Sequence, residues 1–167
     1  MAFESKIKTI EWIDNVSRMI DQRLLPDEFK LVDIKTTEEM YNAIKNMIVR
    51  GAPAIGIAGC HGIVLAAQEL SQITKDKNIF LEQLQKKADY LNSSRPTAVN
   101  LKWAIEKQMK LAFNIQGNIS DIVTALKENG IKLENEDIEI NKKIGYYGAS
   151  VIPKGAVILT HCNAGAL

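Results

Sequence analysis

The pattern of apolar and polar positions changes from a period of two to a helical period near residue 35. Residues 7–12 and 29–34 alternate apolar and polar side chains, which predicts two β-strands that each bury one face. Leu24-Leu25-Pro26-Asp27 lies between them and has the composition of a bend. The start of the chain is therefore predicted to form a small sheet.

Helical spacing of apolar residues begins after this sheet. Thr36 and Glu39 have the spacing of a capping box, in which side chain and backbone satisfy each other's first-turn groups, so a helix is predicted to begin here. Gly51 is expected to end that helix, and Pro53 is suited to the first turn of the next one. Residues 55–70 are apolar nearly all round, which predicts a central helix that is packed on several sides.

Four further helices and one strand are predicted in the rest of the chain. The helices are placed at 78–91, after an interruption at 93–97 through to residue 112, at 119–129 (closed by Gly130) and at 137–152. The strand is the apolar run 156–159. A strand at that position has no partner that follows it within the chain. We therefore expect the chain to be the front part of a longer protein, with this strand frayed or paired with another copy.

This order of elements predicts the fold class. Residues 1–117 are expected to form an α+β N-terminal domain, made of a small antiparallel sheet and a helical bundle. Residues 118–167 are expected to be linker helices followed by the first strand of an incomplete, truncated α/β domain. A length of 167 residues and 46% hydrophobic residues are sufficient for a real core.

Charge and cysteine content narrow the classes of partner and cofactor. The net charge of +1 gives no reason to expect a nucleic acid or a membrane surface as partner. Two free cysteines and a polar amino terminus without a secretory signal predict a cytoplasmic protein. The two cysteines and two histidines occur as two adjacent pairs rather than at metal-ligand spacing, and no dinucleotide or phosphate-loop motif is present. We therefore expect neither a metal nor a cofactor.

Two arginines precede predicted helix starts in similar contexts. The segments are Arg50-Gly51-Ala52-Pro53 and Ser94-Arg95-Pro96-Thr97. Free amides at a helix start, beside an arginine, can bind a phosphate or a carboxylate. Taken alone, the first segment is more typical of an ordinary helix–helix turn with a solvated arginine. Two such segments make a two-arginine phosphate clamp plausible, to which Asn100 could add a polar group, if they meet in space.

Cys162 is the strongest candidate for chemistry. It follows the apolar run 156–159 and precedes Gly165 and a predicted helix start, a position that favours an exposed, reactive thiolate. The alternative is a buried structural cysteine, against which the polar neighbours His161 and Asn163 argue. His161 is expected to have a structural or supporting role. Cys60 and His61, in the central helix, are predicted to be a core cysteine and a hydrogen-bonded core histidine.

Three motifs in the right order resemble the methylthioribose-1-phosphate isomerase family. They are RGAPAIGIAG at 50–59 with GIVLAA at 62–67, SRPTAVNL at 94–101 and LTHCNAGAL at 159–167; segments 10–12 and 22–26 fit as well. The resemblance implies a protein about twice this length, with a C-terminal Rossmann-like domain, a substrate site between the domains and a homodimeric state. It also implies conversion of 5-methylthioribose 1-phosphate to 5-methylthioribulose 1-phosphate, in methionine salvage.

The resemblance also assigns roles to residues of this chain. Arg50, the backbone of Gly51 and Ala52, and Arg95 are implied as substrate-binding residues, and Cys162 as the catalytic cysteine. The family's catalytic aspartate belongs to the other half, so the chain by itself is expected to be inactive. The nearest enzyme alternative is a ribose-1,5-bisphosphate isomerase. The other alternative is a non-catalytic relative of the regulatory subunits of a translation-initiation exchange factor, against which the retained Cys162 argues.

Overall fold

The computed structural model describes residues 7–161, which form one three-stranded antiparallel sheet and five helices. The strands are β1 (Ile10–Ile13), β2 (Val16–Ile20) and β3 (Leu31–Ile34). The helices are α1 (Thr37–Lys45), α2 (Ala52–Ile73), α3 (Lys77–Ser93), α4 (Val99–Asn114) and α5 (Ile119–Val151). The predicted α+β architecture of a small antiparallel sheet and a helical bundle is confirmed.

The sheet contains a central strand that the sequence analysis missed. β1 and β2 form a hairpin in which Asp14 and Asn15, both at positive φ, make the two-residue connection. β2 then pairs with β3, placing Ser17 opposite Ile34. The missed signal was the Asp-Asn pair, since these residues tolerate the positive φ that such a hairpin turn requires.

The predicted capping box at α1 is present in the structure. The backbone N–H of Glu39 donates to Thr36 Oγ1 over 3.1 Å, and the Glu39 carboxylate accepts from the Thr36 N–H. The helix ends at Lys45, earlier than the predicted break at Gly51. Gly51 instead begins α2, with Pro53 in its first turn as predicted.

Helix α2 is the centre of the fold and contacts the other four helices. It is long and apolar enough to span a membrane by length and composition, but 78% of its most apolar window is buried inside the protein, as in a core helix. Small residues on α2 admit α4: Gly56 faces Asn100, and Gly59 faces Leu101. Since residue numbers increase together along this contact, α2 and α4 run parallel and begin at the same end.

Helix α5 corrects one prediction, because it continues through Gly130 instead of ending there. In place of the two helices predicted at 119–129 and 137–152, the structure has one helix of 33 residues, Ile119–Val151. Gly130 faces Gln108, His61 and Val64, each about 3.6 Å from where a Cβ would lie, so it is a point of close packing rather than a helix end. The second half of α5 carries exposed apolar side chains, among them Ile140, Ile144, Tyr147 and Val151.

The apolar run 156–159, predicted as a strand, does not form one. Val157 is 100% exposed and Leu159 is 97% exposed, and within residues 7–161 no strand pairs with this segment. A strand needs a neighbour for its backbone groups, so an apolar sequence alone does not make one. Whether the run is frayed or pairs with another copy, the two expectations for it, stays a prediction.

The close contact between α2 and α4 predicts a strong effect of substitution at Gly59. A Cβ there would lie 2.8 Å from Leu101 Cδ1, so Gly59→Val should lower the free energy of unfolding by about 1–3 kcal/mol through overpacking. Gly145→Val is the matched control, because nothing lies within 4 Å of its Cβ position and it is also helical; its effect should stay within about 0.5 kcal/mol. Urea denaturation of both variants measures the difference, and equal effects would contradict this packing.

Candidate anion-binding site

The parallel packing of α2 and α4 brings the two predicted arginine segments to neighbouring helix starts. The Cβ position of Gly56, about one turn inside α2, lies 3.4 Å from the carbonyl oxygen of Asn100, the second residue of α4. The segments that begin at Arg50 and Arg95 lead directly into these two starts. The sequence left open whether the segments meet, and the structure places the two helix starts side by side.

These two helix starts differ from the other three in how they are capped. Side chains of Thr36, Asp76 and Asn118 accept first-turn N–H groups of α1, α3 and α5. The N-caps of α2 and α4 are Gly51 and Ala98, which offer no side-chain acceptor, and neither helix has an acidic residue in its first turn. No side chain therefore caps the first-turn N–H groups of α2 and α4, and uncapped helix starts of this kind favour a nearby anion.

The Arg50 segment has a defined backbone and an accessible side chain. Gly51 has a φ of 93°, a region that glycine adopts without strain, and its Cβ position is open to solvent, so torsion rather than crowding favours glycine here. Val49 is fully buried and anchors the segment. Arg50 and Ala52 are exposed, and the Arg50 guanidinium makes no ion pair or hydrogen bond with another residue of 7–161.

Gln22 holds this segment from the side of the sheet, and the sequence analysis gave it no role. Its backbone N–H donates to the Ile48 carbonyl over 3.0 Å, and its side-chain Nε2 donates to the Arg50 carbonyl over 3.3 Å. The neighbouring Asp21 carboxylate accepts two hydrogen bonds from the Arg23 guanidinium, which hold the pKa of Asp21 below its usual value. The anionic Asp21 beside the segment is thus neutralised.

The Arg95 segment is a tight turn between α3 and α4. Ser94 is buried and its Oγ donates to the Leu91 carbonyl over 2.6 Å, while the Ala98 N–H donates to the Arg95 carbonyl over 2.9 Å. Arg95 is half-buried, and its guanidinium has no ion-pair or hydrogen-bond partner in the described part of the chain. Both guanidinium groups are therefore without an ion-pair or hydrogen-bond partner within residues 7–161.

The two cysteines differ in what the structure says of them. Cys162 lies outside the described residues, so its catalytic role stays a prediction; the preceding His161 is exposed. Cys60 is buried as predicted, and burial raises the pKa of its thiol to about 12, which leaves it unreactive. No cluster of three or more potential metal ligands exists among residues 7–161.

His61 is a fully buried histidine at the contact of α2 with the sheet and α5. Its Nδ1 lies 2.9 Å from Ser17 Oγ, and its ring meets Trp12 edge-on at 5.1 Å. Its Nε2 faces the Glu134 carboxylate at 3.8 Å, too far for a hydrogen bond, and Glu134 instead accepts the Trp12 backbone N–H over 3.0 Å. The prediction of a core histidine is confirmed, although only one ring nitrogen is hydrogen-bonded.

Comparison with known proteins assigns the chain to a family. The chain belongs to the Initiation factor 2 subunit family, whose model matches residues 48–167. That range contains both arginine segments and Cys162.

Relatives within the family are more specific. A methylthioribose-1-phosphate isomerase from Thermoanaerobacter sp. (strain X514) is 45% identical over 97% of this chain, and one from Petrotoga mobilis is 47% identical. Among solved structures, 5-methylthioribose 1-phosphate isomerase from Pyrococcus horikoshii superposes with a TM-score of 0.90 at 43% identity over 98% of this chain. The delta subunit of translation initiation factor eIF-2B from A. fulgidus superposes with a TM-score of 0.85 at 40% identity over 96%. The chain spans about half the length of these proteins, 47% and 46% for the first of each kind.

The burial of His61 predicts a dependence of stability on pH. Burial lowers the pKa of His61 to about 3, below the ordinary 6.5, so between these values the unfolded chain binds the proton that the folded chain excludes. The free energy of unfolding should therefore fall as the pH drops below about 6.5, by up to about 1.4 kcal/mol per pH unit from this group.

Urea denaturation at pH 7 and pH 5 measures this effect. His61→Gln should remove most of the loss, whereas the matched control His161→Gln, at an exposed histidine, should keep it. The pKa of Glu134 is raised, chiefly by burial, and its protonation in the folded state opposes the His61 effect in all three proteins. An unchanged pH dependence in His61→Gln would contradict the assignment.

Proposed function

We propose that the shared end of α2 and α4 binds the phosphate of a sugar phosphate, and that the protein is an aldose–ketose isomerase. The substrate is 5-methylthioribose 1-phosphate and the product 5-methylthioribulose 1-phosphate, in methionine salvage. The observation that carries this proposal is the pair of parallel helix starts, which no side chain caps and which Arg50 and Arg95 flank. The names of the relatives supply the substrate.

In this proposal each part of the site has a defined task. Arg50, the N–H groups of Gly51 and Ala52, and Arg95 hold the phosphate through charge and directed hydrogen bonds. Cys162 acts as the acid or base at one reacting position, and an aspartate in the second half of the full protein acts at the other.

The substrate's chemistry explains why such a site is needed. A phosphate on C1 prevents ring opening to a free aldehyde, so the usual enediol route is not directly open. The conversion breaks the bond between C1 and the ring oxygen and moves hydrogen from C2 to C1. The C2 hydroxyl loses its proton to become the carbonyl, and the ring oxygen gains one. A dry pocket and a fixed phosphate favour either a hydride shift or a proton route.

We propose that residues 118–167 lead into a second, Rossmann-like domain that completes the pocket. The chain covers about half of its relatives, and the exposed apolar side chains on the second half of α5 are surface that such a domain would bury. The residues around the proposed phosphate site are exposed to solvent, namely Ala52 and Pro53 at the start of α2 and Pro96 and Thr97 before α4. A second domain could therefore cover the site there. We further propose a cytoplasmic location and a homodimer for the full-length protein, without nucleic acid, membrane, metal or cofactor.

A regulatory, non-catalytic function is the second candidate. It is favoured by the likeness to the delta subunit of eIF-2B from A. fulgidus, at a TM-score of 0.85. The site could then bind a sugar phosphate without turnover, and Cys162 would have no chemical task. A ribose-1,5-bisphosphate isomerase would require basic residues for a second phosphate, where the proposed substrate requires an apolar slot for its methylthio group.

Titration with phosphate tests the binding site directly. Inorganic phosphate and 5-methylthioribose 1-phosphate should shift the amide signals of Gly51, Ala52 and Asn100 in nitrogen–proton correlation spectra. Arg50→Gln and Arg95→Gln should each weaken binding about ten-fold or more, since each removes a charged hydrogen bond worth about 1.5–3 kcal/mol.

Arg18→Gln is the control that matches the change in charge. Arg18 lies on the sheet and forms an exposed ion pair with Asp33, at 2.7 Å, so its loss should leave phosphate affinity within about two-fold. If all three variants weaken binding alike, the effect is one of net charge and the proposed site is wrong.

Phosphorus NMR of the chain with 5-methylthioribose 1-phosphate tests the reaction. We expect binding without turnover, since the proposed aspartate lies in the second half. Ketose phosphate formed by the wild-type chain and absent with Cys162→Ala would overturn the need for that half while supporting the reaction and the cysteine. Turnover that survives Cys162→Ala would refute the role of the cysteine.

A further inference from the structure

Given the proposed phosphate site, we infer that Gln22 is a positioning residue, which fixes the Arg50 segment in the conformation that presents its amides to the anion. Gln22 is 7% exposed, so its amide does not face bulk solvent as the Arg50 side chain does. It acts through the backbone of the segment and not by contact with the substrate.

The segment between α1 and α2 has little hydrogen bonding of its own to fix it. It lies between two residues at positive φ, Met47 at 58° and Gly51 at 93°. The N–H groups of Ile48 and Val49 both donate to one carbonyl, that of Ala43, at 2.9 Å and 3.4 Å. These bonds hold the end of α1. They do not involve the carbonyls of Ile48 and Arg50, which need donors from elsewhere in the fold.

Gln22 supplies both of those donors. Its backbone N–H bonds to the Ile48 carbonyl and its side chain bonds to the Arg50 carbonyl. One residue thus holds the segment by two hydrogen bonds. An acceptor carbonyl requires a donor opposite it, which assigns the nitrogen of the Gln22 amide to this contact. Gln22 itself follows β2, and the adjacent Asp21 N–H donates to the Lys30 carbonyl over 2.9 Å. The sheet thus fixes the position of Gln22 and of its two hydrogen bonds to the segment.

Orientation of the Arg50 peptide group bears directly on anion binding. The Arg50 carbonyl and the Gly51 N–H belong to one planar unit, so a bond that holds the carbonyl toward Gln22 directs the N–H to the opposite side. Without that bond the unit is free to rotate about its flanking torsions, one of which belongs to the permissive Gly51. Gln22 therefore preorganises a phosphate donor.

The test compares Gln22→Met with Gln108→Met in the whole chain. Both glutamines are buried and both donate to backbone carbonyls, but Gln108 bonds to Cys60 and Leu126 in the helical core, away from the site. Gln22→Met should weaken binding of inorganic phosphate about three- to ten-fold, the range expected for one neutral hydrogen bond. Gln108→Met should lower the urea midpoint and leave phosphate affinity unchanged. Equal losses of affinity in the two variants, or none in Gln22→Met, would overturn the inference.

A measurement without ligand separates this inference from the proposed function. The Ile55 N–H donates to the Gly51 carbonyl over 2.9 Å and closes the first turn of α2, so its hydrogen exchange reports on the order of the segment. Exchange at Ile55 should accelerate in Gln22→Met and in the shorter Gln22→Asn, relative to the core amides of α2, and not in Gln108→Met. If the wild-type chain binds no phosphate, the proposed site fails, and Ile55 exchange alone decides whether Gln22 holds the segment. Unchanged exchange in both Gln22 variants would refute it.

Discussion

The parallel contact between α2 and α4 is the constraint on which the fold and the site both depend. Glycines at the interface allow the two helices to approach closely. Because the helices run parallel, both begin at the same end of the bundle. Parallel neighbours align their dipoles unfavourably, so the amino ends attract an anion and the carboxyl ends need cations or donors. Just beyond the far end of α4, the Lys77 Nζ donates to the carbonyls of Ile115 and Gly117 at 2.7 Å and 3.0 Å, which places a cation near that carboxyl end. The carboxyl end of α4 thus has a cation beside it, whereas its amino end has no capping side chain.

Sequence patterns predicted most of the fold where a local rule operates. The capping box at Thr36 and Glu39, the proline in the first turn of α2 and the all-round apolar character of α2 each follow from one segment and its own physical chemistry. The failures occur where tertiary contacts decide. Gly130 resembles a helix end in sequence, but α5 continues through it and packs it against Gln108 and His61 in the core. The run 156–159 is apolar enough for a strand and lacks the neighbour that would make it one.

In the candidate site, too, local features were predictable from the sequence and tertiary contacts were not. Its arginines and its uncapped helix starts could be predicted from the sequence. Glycine, proline and alanine at a helix start have no side chain that can cap the first-turn N–H groups. That the two starts adjoin could not be read from either segment, since it depends on glycines more than one helical turn away. The role of Gln22 could not be predicted for a similar reason, although segment 22–26 fits the resemblance. Its partners, the carbonyls of Ile48 and Arg50, are backbone atoms that carry no sequence signature.

The uninterrupted length of α5 makes it a mechanical element. At 1.5 Å per residue, its 33 residues form a rod about 50 Å long, of which only the first half is clamped between α2, α4 and β1. A rod held at one end converts a small rotation at its base into a larger sweep at its tip, so a change of packing around Gly130 would be amplified along the helix. The direction of α5 beyond its buried half therefore follows from the core contacts of that half, which include the hydrogen bonds of Glu134 with Trp12 and of Gln108 with Leu126.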